Sequence, residues 1–180
     1  AAARSKQTSS AASRPNRTSM FRLIDSPLGP LRLQASPRGL SRVEFSGTST
    51  PLEAVGGTDE GGVDKRSADV LDAAQVQLAE YFAGQRRAFE LPLDPPATTD
   101  FRAAVHAQLA EIGYGETVTY RDVAKLLGRP GAPRAVGSAC GANPLLIVRP
   151  CHRVLRSDGQ LGGYAGGLEA KRFLLTLEEN

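Results

Sequence analysis

The chain has 180 residues, 41% of them apolar, which suits one ordinary domain or two small ones with a real core. No stretch approaches the apolar run needed to cross a bilayer, and the first residues lack the apolar block of a signal peptide, so a soluble, intracellular protein is expected. Two cysteines, Cys140 and Cys151, cannot build a disulfide framework, and with His106 and His152 they fit no zinc spacing, so no metal site is expected. The net charge is a modest +3 but is unevenly distributed. Residues 121–156 hold Arg121, Lys125, Arg129, Arg134, Arg149, Arg153 and Arg156 against Asp122 alone. Such a concentration fits a polyanion such as nucleic acid, although a solvated basic face has the same composition.

Residues 1–19 contain Ala, Ser, Thr, Asn and four basic residues without apolar periodicity, and predict a disordered basic tail. Short alternating runs at 21–24, 31–35 and 40–45, the first two separated by a Ser-Pro-Leu-Gly-Pro turn, predict a small antiparallel sheet. A Gly- and Thr-rich loop over 46–66 leads to a helix over 67–82, with Leu71, Ala74, Leu78 and Tyr81 on one face and Gly84 as its stop. Phe89, Leu91 and Leu93 alternate as a further strand, and 94–98 reads as a linker between an N-terminal unit, 20–93, and a C-terminal unit, 99–180.

Beyond it, Phe101, Val105, Leu109 and Ile112 mark a helix capped by Thr99, with His106 beside the apolar face in a structural or solvent-facing position. A short helix over 120–127, capped by Thr119 and stopped by Gly128, is followed after a tight break by another over 132–140. Together they make a helix-turn-helix pattern. The second carries Arg134 near its start and the small residues Ala135, Gly137, Ser138, Ala139 and Gly141. Small side chains suit close approach to a nucleic-acid groove or tight packing on a neighbouring helix, and composition does not choose between them. The fold class is therefore α+β: a small antiparallel-sheet domain with a helix, then a mainly helical domain with a helix-turn-helix and a cysteine loop.

That loop reads Pro150-Cys151-His152-Arg153-Val154. A thiol with its usual pKa of about 8.5 is only slightly ionised at neutral pH, so a nucleophilic cysteine needs a base or cationic surroundings, and both are offered here. Adjacency in sequence points two side chains apart, however, so the pair by itself equally describes a small buried cysteine beside an unrelated histidine.

Taken together, Tyr120, Arg134-Ala135-Val136-Gly137, Asn143-Pro144, Pro150 to Val154, and Tyr164-Ala165-Gly166-Gly167-Leu168 followed by Glu178 resemble the O6-alkylguanine-DNA alkyltransferases, also called methylated-DNA-protein-cysteine methyltransferases. The likeness runs from about Met20 to the C-terminus and is most specific over 114–178. It implies repair of duplex DNA by direct, single-turnover transfer of an alkyl group from O6-alkylguanine, and O4-alkylthymine, to Cys151 after the nucleotide is flipped out. By the same resemblance His152 acts through water as the base, Glu178 orients its imidazole, and the Tyr120 hydroxyl serves ring N3 and crowds the 3′ phosphate. Arg134 is the finger that fills the gap left by the base, on a helix whose Ala135, Gly137 and Ser138 enter the minor groove. Asn143 is the hinge between that helix and the active-site loop. Backbone groups of Cys151 and Val154 read the guanine edge, and the loop with Tyr164, Ala165, Gly166 and Gly167 covers the pocket.

The chain departs from this pattern in three places. Ala165 stands where many relatives have serine, His106 where a tryptophan is usual, and the N-terminal part lacks cysteine for the zinc site of some relatives. A thioether is not readily hydrolysed, so a stoichiometric protein without a cofactor is implied. The expected partner is double-stranded DNA carrying O6-alkylguanine, bound by a monomer or by monomers assembling cooperatively, in the cytoplasm and nucleoid of a prokaryote. Competing readings are a lesion-holding relative without transfer, a helix-turn-helix regulator and a cysteine hydrolase; the regulator lacks a ligand or dimerisation feature, and the hydrolase lacks a Gly-rich oxyanion turn.

Overall fold

Alternation of apolar and polar side chains makes the first three strands, β1 (Met20–Ile24), β2 (Leu31–Ser36) and β3 (Gly39–Phe45), an antiparallel sheet in that order. Their bounds agree with the sequence pattern to within a residue. The computed structural model describes residues 19–46 and 64–179, so the expectations for the basic tail and most of the Gly/Thr-rich loop lie outside the described residues. Leu31 pairs with Phe45 and Leu33 with Val43, which puts all four on the buried side. Helix α1 (Lys65–Phe82) covers that face with Val70, Leu71, Ala74, Leu78 and Tyr81. It starts two residues earlier than the periodicity indicates, because Asp64 caps it by accepting from the Ser67 backbone N–H at 2.9 Å and hydroxyl at 2.7 Å.

The strand expected from Phe89 to Leu93 is not formed. Gln77 of α1 takes up both backbone groups of Glu90, its amide donating to the carbonyl at 3.0 Å and its oxygen accepting the N–H at 2.8 Å. Pro92 brings no N–H to a ladder. Only one bridge remains, Leu93 beside Leu40, where Leu40 N donates to Pro92 O and Asp94 N to Leu40 O. The linker thus begins anchored, since Asp94 also accepts from Ser36 and pairs with Arg38 at 3.0 Å.

Four further helices follow: α2 (Asp100–Ala110), capped by Thr99, α3 (Tyr120–Leu126), α4 (Pro133–Gly141) and α5 (Leu168–Glu178). Helix α2 ends before Ile112, short of the periodic pattern. His106 is buried, with Nε2 2.8 Å from the Ala139 carbonyl, so it ties α2 to α4 and does not face solvent. Sequence periodicity misses two short strands: β4 (Val118–Thr119) pairs in parallel with β5 (Val154–Leu155). Two residues per strand are too few to show a period.

The free edge of β3 carries the segment that leads to the cysteine. Val43 N donates to Pro144 O at 2.9 Å and Leu146 N to Val43 O at 3.2 Å, docking 144–146 beside the strand. Ile147 then turns with φ 71°, and Val148 N donates to Leu146 O at 2.8 Å. A β-branched residue in the left-handed region costs about 1–3 kcal/mol and persists only where packing holds it; Ile147 is buried. One core cluster runs through both halves of the chain. Among the described residues no helix is long and apolar enough to cross a membrane.

Candidate active site

Pro150 ends the docked segment, and Cys151 opens a single 3-10 turn, 151–153, that hands the chain to β5. The pairing of Val118 with Val154 and Thr119 with Leu155 holds the start of α3 beside this turn. A capping box closes that start: Thr119 Oγ1 accepts from Asp122 N at 3.1 Å while Asp122 accepts from Thr119 N at 3.1 Å. Tyr120, the first residue of α3, is thereby aimed at the cysteine turn.

Cys151 is only 3% exposed, yet it lines an open pocket of about 850 Å³. Tyr120, Arg134, Gly137, Cys140, Tyr164 and Ala165 share its wall, with Arg121, Arg156, Gly162 and Gly163 at other points. Asn143 stands behind the sulfur. Its Nδ2 donates to Arg149 O at 2.9 Å and lies 3.3 Å from Cys151 Sγ, and its Oδ1 accepts from Leu145 N at 3.1 Å. Asn143 therefore joins the end of α4 to the cysteine turn, where a hinge residue is expected.

His152 and Glu178 lie on the inner side of the turn. His152 Nε2 is 2.8 Å from Glu178 Oε1, and both side chains are withdrawn from solvent. A carboxylate only accepts, so Nε2 carries the proton and Nδ1 holds the lone pair. His152 Nδ1 is buried and has no hydrogen-bond partner. Burial pushes the imidazole below its ordinary pKa, against the raising effect of Glu178. Burial works against ionisation of Glu178 as well, but hydrogen bonds from His152 and Arg153 outweigh it and hold the carboxyl well below the usual range. The resting pair is a neutral base oriented by an anion.

The cations nearest the reaction differ from the sequence expectation. Arg153 turns inward, donating to Glu178 from Nε at 2.8 Å and from Nη2 at 2.9 Å, and so neutralises the carboxylate instead of the thiol. The positive charge acting on Cys151 is Lys171. Fully buried on α5, its Nζ donates to Val154 O at 2.7 Å and also to Leu161 O. Burial nevertheless raises the Cys151 pKa, with Asn143 and Lys171 opposing. At rest the thiol keeps its proton. Burial also lifts the Tyr120 hydroxyl to about 12, so Tyr120 is a donor at neutral pH.

The remaining expected residues divide by position. Arg134, Ala135 and Ser138 are exposed on one face of α4, while Val136, Ala139 and Cys140 are buried on the other, so the small residues serve both a free face and a packed one. Gly137 is nearer the packed side: a methyl group there would touch the Tyr120 ring at 3.8 Å. Gly166 lies off the pocket wall, where a Cβ would fall 2.4 Å from the Phe45 ring, so its lack of a side chain lets the loop close against β3. Val154 is buried off the wall too, with its carbonyl already accepting from Lys171. Tyr164 places its ring edge-on to His152 at 6.4 Å, and its buried hydroxyl has no partner.

Sequence reasoning placed Arg153 among the cations around the thiol and Tyr81 on the apolar face of α1, and assigned no role to Lys171. A usable signal existed for Lys171, which shares the apolar stripe of α5 with Leu174 and Glu178, and a cation on such a stripe needs a buried partner.

Residues 20–95 match the ribonuclease-like domain, and residues 100–180 the DNA binding domain, of 6-O-methylguanine DNA methyltransferase. The chain belongs to the 6-O-methylguanine DNA methyltransferase family. It is 44% identical over 160 residues to a methylated-DNA–protein-cysteine methyltransferase of Methanosarcina barkeri, covering 89% of this chain and 97% of that protein. The corresponding protein of Mycobacterium tuberculosis is 40% identical, covering 89% and 92%. A crystal structure of Mycobacterium tuberculosis OGT in complex with DNA superposes with a TM-score of 0.77 at 39% identity, covering 89% of this chain and 92% of that one. An O6-methylguanine DNA methyltransferase from Methanococcus jannaschii gives 0.57 at 29%, covering 88% and 93%.

Proposed function

We propose that this protein repairs double-stranded DNA by moving the alkyl group of O6-alkylguanine, and of O4-alkylthymine, onto Cys151 in a single irreversible turnover. The observation that carries this reading is the Cys151 thiol on the wall of an open pocket, next in the chain to a buried histidine that Glu178 holds with Nδ1 free to take a proton. The thiol proton passes through a water molecule to His152 Nδ1, leaving a thiolate and an imidazolium facing Glu178. Sulfur attacks the alkyl carbon, the C–O6 bond breaks, and its electron pair returns to the purine. Donation from Tyr120 to ring N3 disperses the charge that develops there. Return of the proton held by His152 through water to the purine leaves an S-alkylcysteine, an intact base and a neutral imidazole, and nothing in the sequence of steps regenerates the thiol. No cofactor is needed.

A stacked base cannot bring O6 to a buried sulfur, so the nucleotide rotates into the pocket at a cost of a few kcal/mol. Arg134 on the exposed face of α4 fills the space left in the duplex, with Ala135 and Ser138 against the minor groove. Residues 20–93 act as a supporting unit joined through 94–98 to the transfer unit 99–180, and the protein works as a monomer on DNA in a prokaryotic cytoplasm. The test is the intact mass after incubation with an oligonucleotide duplex carrying O6-methylguanine. One added methyl group, absent in Cys151→Ala while that variant still binds the duplex, supports transfer. Binding without a mass change would make the protein a lesion sensor.

A further inference from the structure

Tyr81 stands on α1, in the N-terminal half, and reaches the catalytic pair across the core. Its hydroxyl donates to Glu178 Oε1 at 2.5 Å, and the residue is fully buried. That same oxygen accepts from His152 Nε2 at 2.8 Å and Arg153 Nη2 at 2.9 Å. The other oxygen takes Arg153 Nε at 2.8 Å and Gly115 N at 3.2 Å. A carboxylate offers about four lone-pair directions, so this one is saturated, and Tyr81 competes directly with His152 for Oε1. Packing fixes the phenol in place: Phe82, Phe89 and Tyr114 surround its ring at 5.6, 5.4 and 6.2 Å.

We propose that Tyr81 is a positioning residue for alkyl transfer, one that fixes Glu178 Oε1 and limits how much carboxylate charge reaches His152. The N-terminal half then contributes a tuned hydrogen bond to the chemistry as well as support for the C-terminal half. The proposal rests on the role given above to His152. Groups facing this pair come from every side: Tyr81 from α1, Tyr114 and Gly115 from the loop after α2, Arg153 from the 3-10 turn, in which Cys151 directly precedes His152, Tyr164 from the covering loop and Lys171 from α5. Of the neutral donors among them, Tyr81 alone gives a side-chain hydrogen to the oxygen that His152 uses. Burial and the negative charge of Glu178 push the phenol far above its ordinary pKa, so it stays a donor throughout the working range.

Tyr81→Phe removes the hydroxyl and keeps the ring. Oε1 then carries more negative charge toward Nε2–H, which favours the imidazolium, so His152 should titrate about half a pH unit higher or more. The chain has only two histidines, so a protein labelled with ¹⁵N in histidine reports His152 directly by NMR, with His106 as an unmoved control. The acid limb of methyl transfer, where the base is lost by protonation of His152, should move to higher pH in the same variant. A site-specific 3-fluorotyrosine at position 81, a stronger donor of nearly the same size, should move His152 the opposite way, and it answers the question even where Tyr81→Phe folds poorly. Identical His152 titrations in all three proteins, or shifts of the reversed sign, would overturn the proposal. Because the titration needs no lesion, failure of the wild-type protein to gain a methyl group would count against the proposed function and not against Tyr81.

Discussion

His152 Nε2 and Glu178 Oε1 lie 2.8 Å apart with both side chains buried, and this one contact decides which ring nitrogen can take a proton. With Nε2 committed to the carboxylate, the basic lone pair is on Nδ1. Glutamine in place of Glu178 keeps the shape but can turn its amide toward the ring, and it leaves the Arg153 guanidinium buried without its anion. Glu178→Gln should therefore lose about 3 kcal/mol of stability in denaturant titrations. Its transfer rate should drop, since a weaker imidazole base leaves more of the thiol protonated, and the acid limb should move to lower pH as His152 itself titrates lower. A pH–rate profile matching the wild type would remove Glu178 from the network.

The same pair sets the acid sensitivity of the fold. Glu178 and His152 both have folded pKa values below their ordinary ones. Each contributes stability that is full above its unfolded pKa, about 4.3 for glutamate and 6.5 for histidine, and that is lost as pH falls toward its folded value. The melting temperature should begin to fall below about pH 6.5 and drop more steeply below about 4. In Glu178→Gln the steeper part should flatten, and thermal scans from pH 7 to 3 would show whether it does.

How much of this was legible in the sequence depends on whether a side chain obeys its local pattern. β1 to β3 follow from alternation, and α2 and α3 from Thr99 and Thr119 as caps. The strand expected over 89–93 shows the same alternation, but Gln77, a residue of another element, occupies its backbone groups. The order of Tyr120, Arg134, Asn143, Cys151 and Glu178 is visible in one dimension. What converges on Glu178 is not, because Tyr81 looks like one more core aromatic and Arg153 like one more surface cation. The expectation that arginines lower the thiol pKa failed for that reason: Arg153 is spent on the carboxylate, and the charge acting on the thiol comes from Lys171, 20 positions further on.

Lys171 stitches the covering loop to the cysteine turn through the carbonyls of Val154, Leu161 and Gly163. Methionine fills similar space but donates nothing, so Lys171→Met strands buried acceptors at about 1–3 kcal/mol for each one left unpaired. Amides of residues 155–165 should exchange hydrogen faster in this variant. Its Cys151 thiol should titrate higher, because the cation that opposes burial is gone. Alkylation rates with a small electrophile across pH would measure that shift.

Gly166 tests how closely the covering loop must approach the sheet. A Cβ at this position would meet Phe45 at 2.4 Å and Tyr164 at 2.8 Å, contacts that force one ring to move. Gly166→Ala should cost about 1–3 kcal/mol through overpacking and displace Tyr164 from its edge-on place beside His152. Pairing it with Phe45→Leu should restore part of the loss. Strict additivity in that double-mutant cycle would show that the two positions do not press on each other.

Arg134 separates the chemistry of the pocket from the work of opening DNA. It lies exposed on the first turn of α4 at the pocket rim, away from the His152–Glu178 pair. A free base such as O6-benzylguanine leaves no gap in a duplex and needs no finger. Arg134→Ala should therefore react with that base at close to the wild-type rate, while repair of a duplex lesion slows on the order of tenfold to a hundredfold, part of the flipping cost no longer being offset. Arg134→Lys should recover charge attraction to phosphate but little of the repair, because an ammonium cannot stack in the vacated site. Single-turnover kinetics on both substrates measure the two effects side by side. Equal losses on both would mean that Arg134 shapes the pocket and not the duplex.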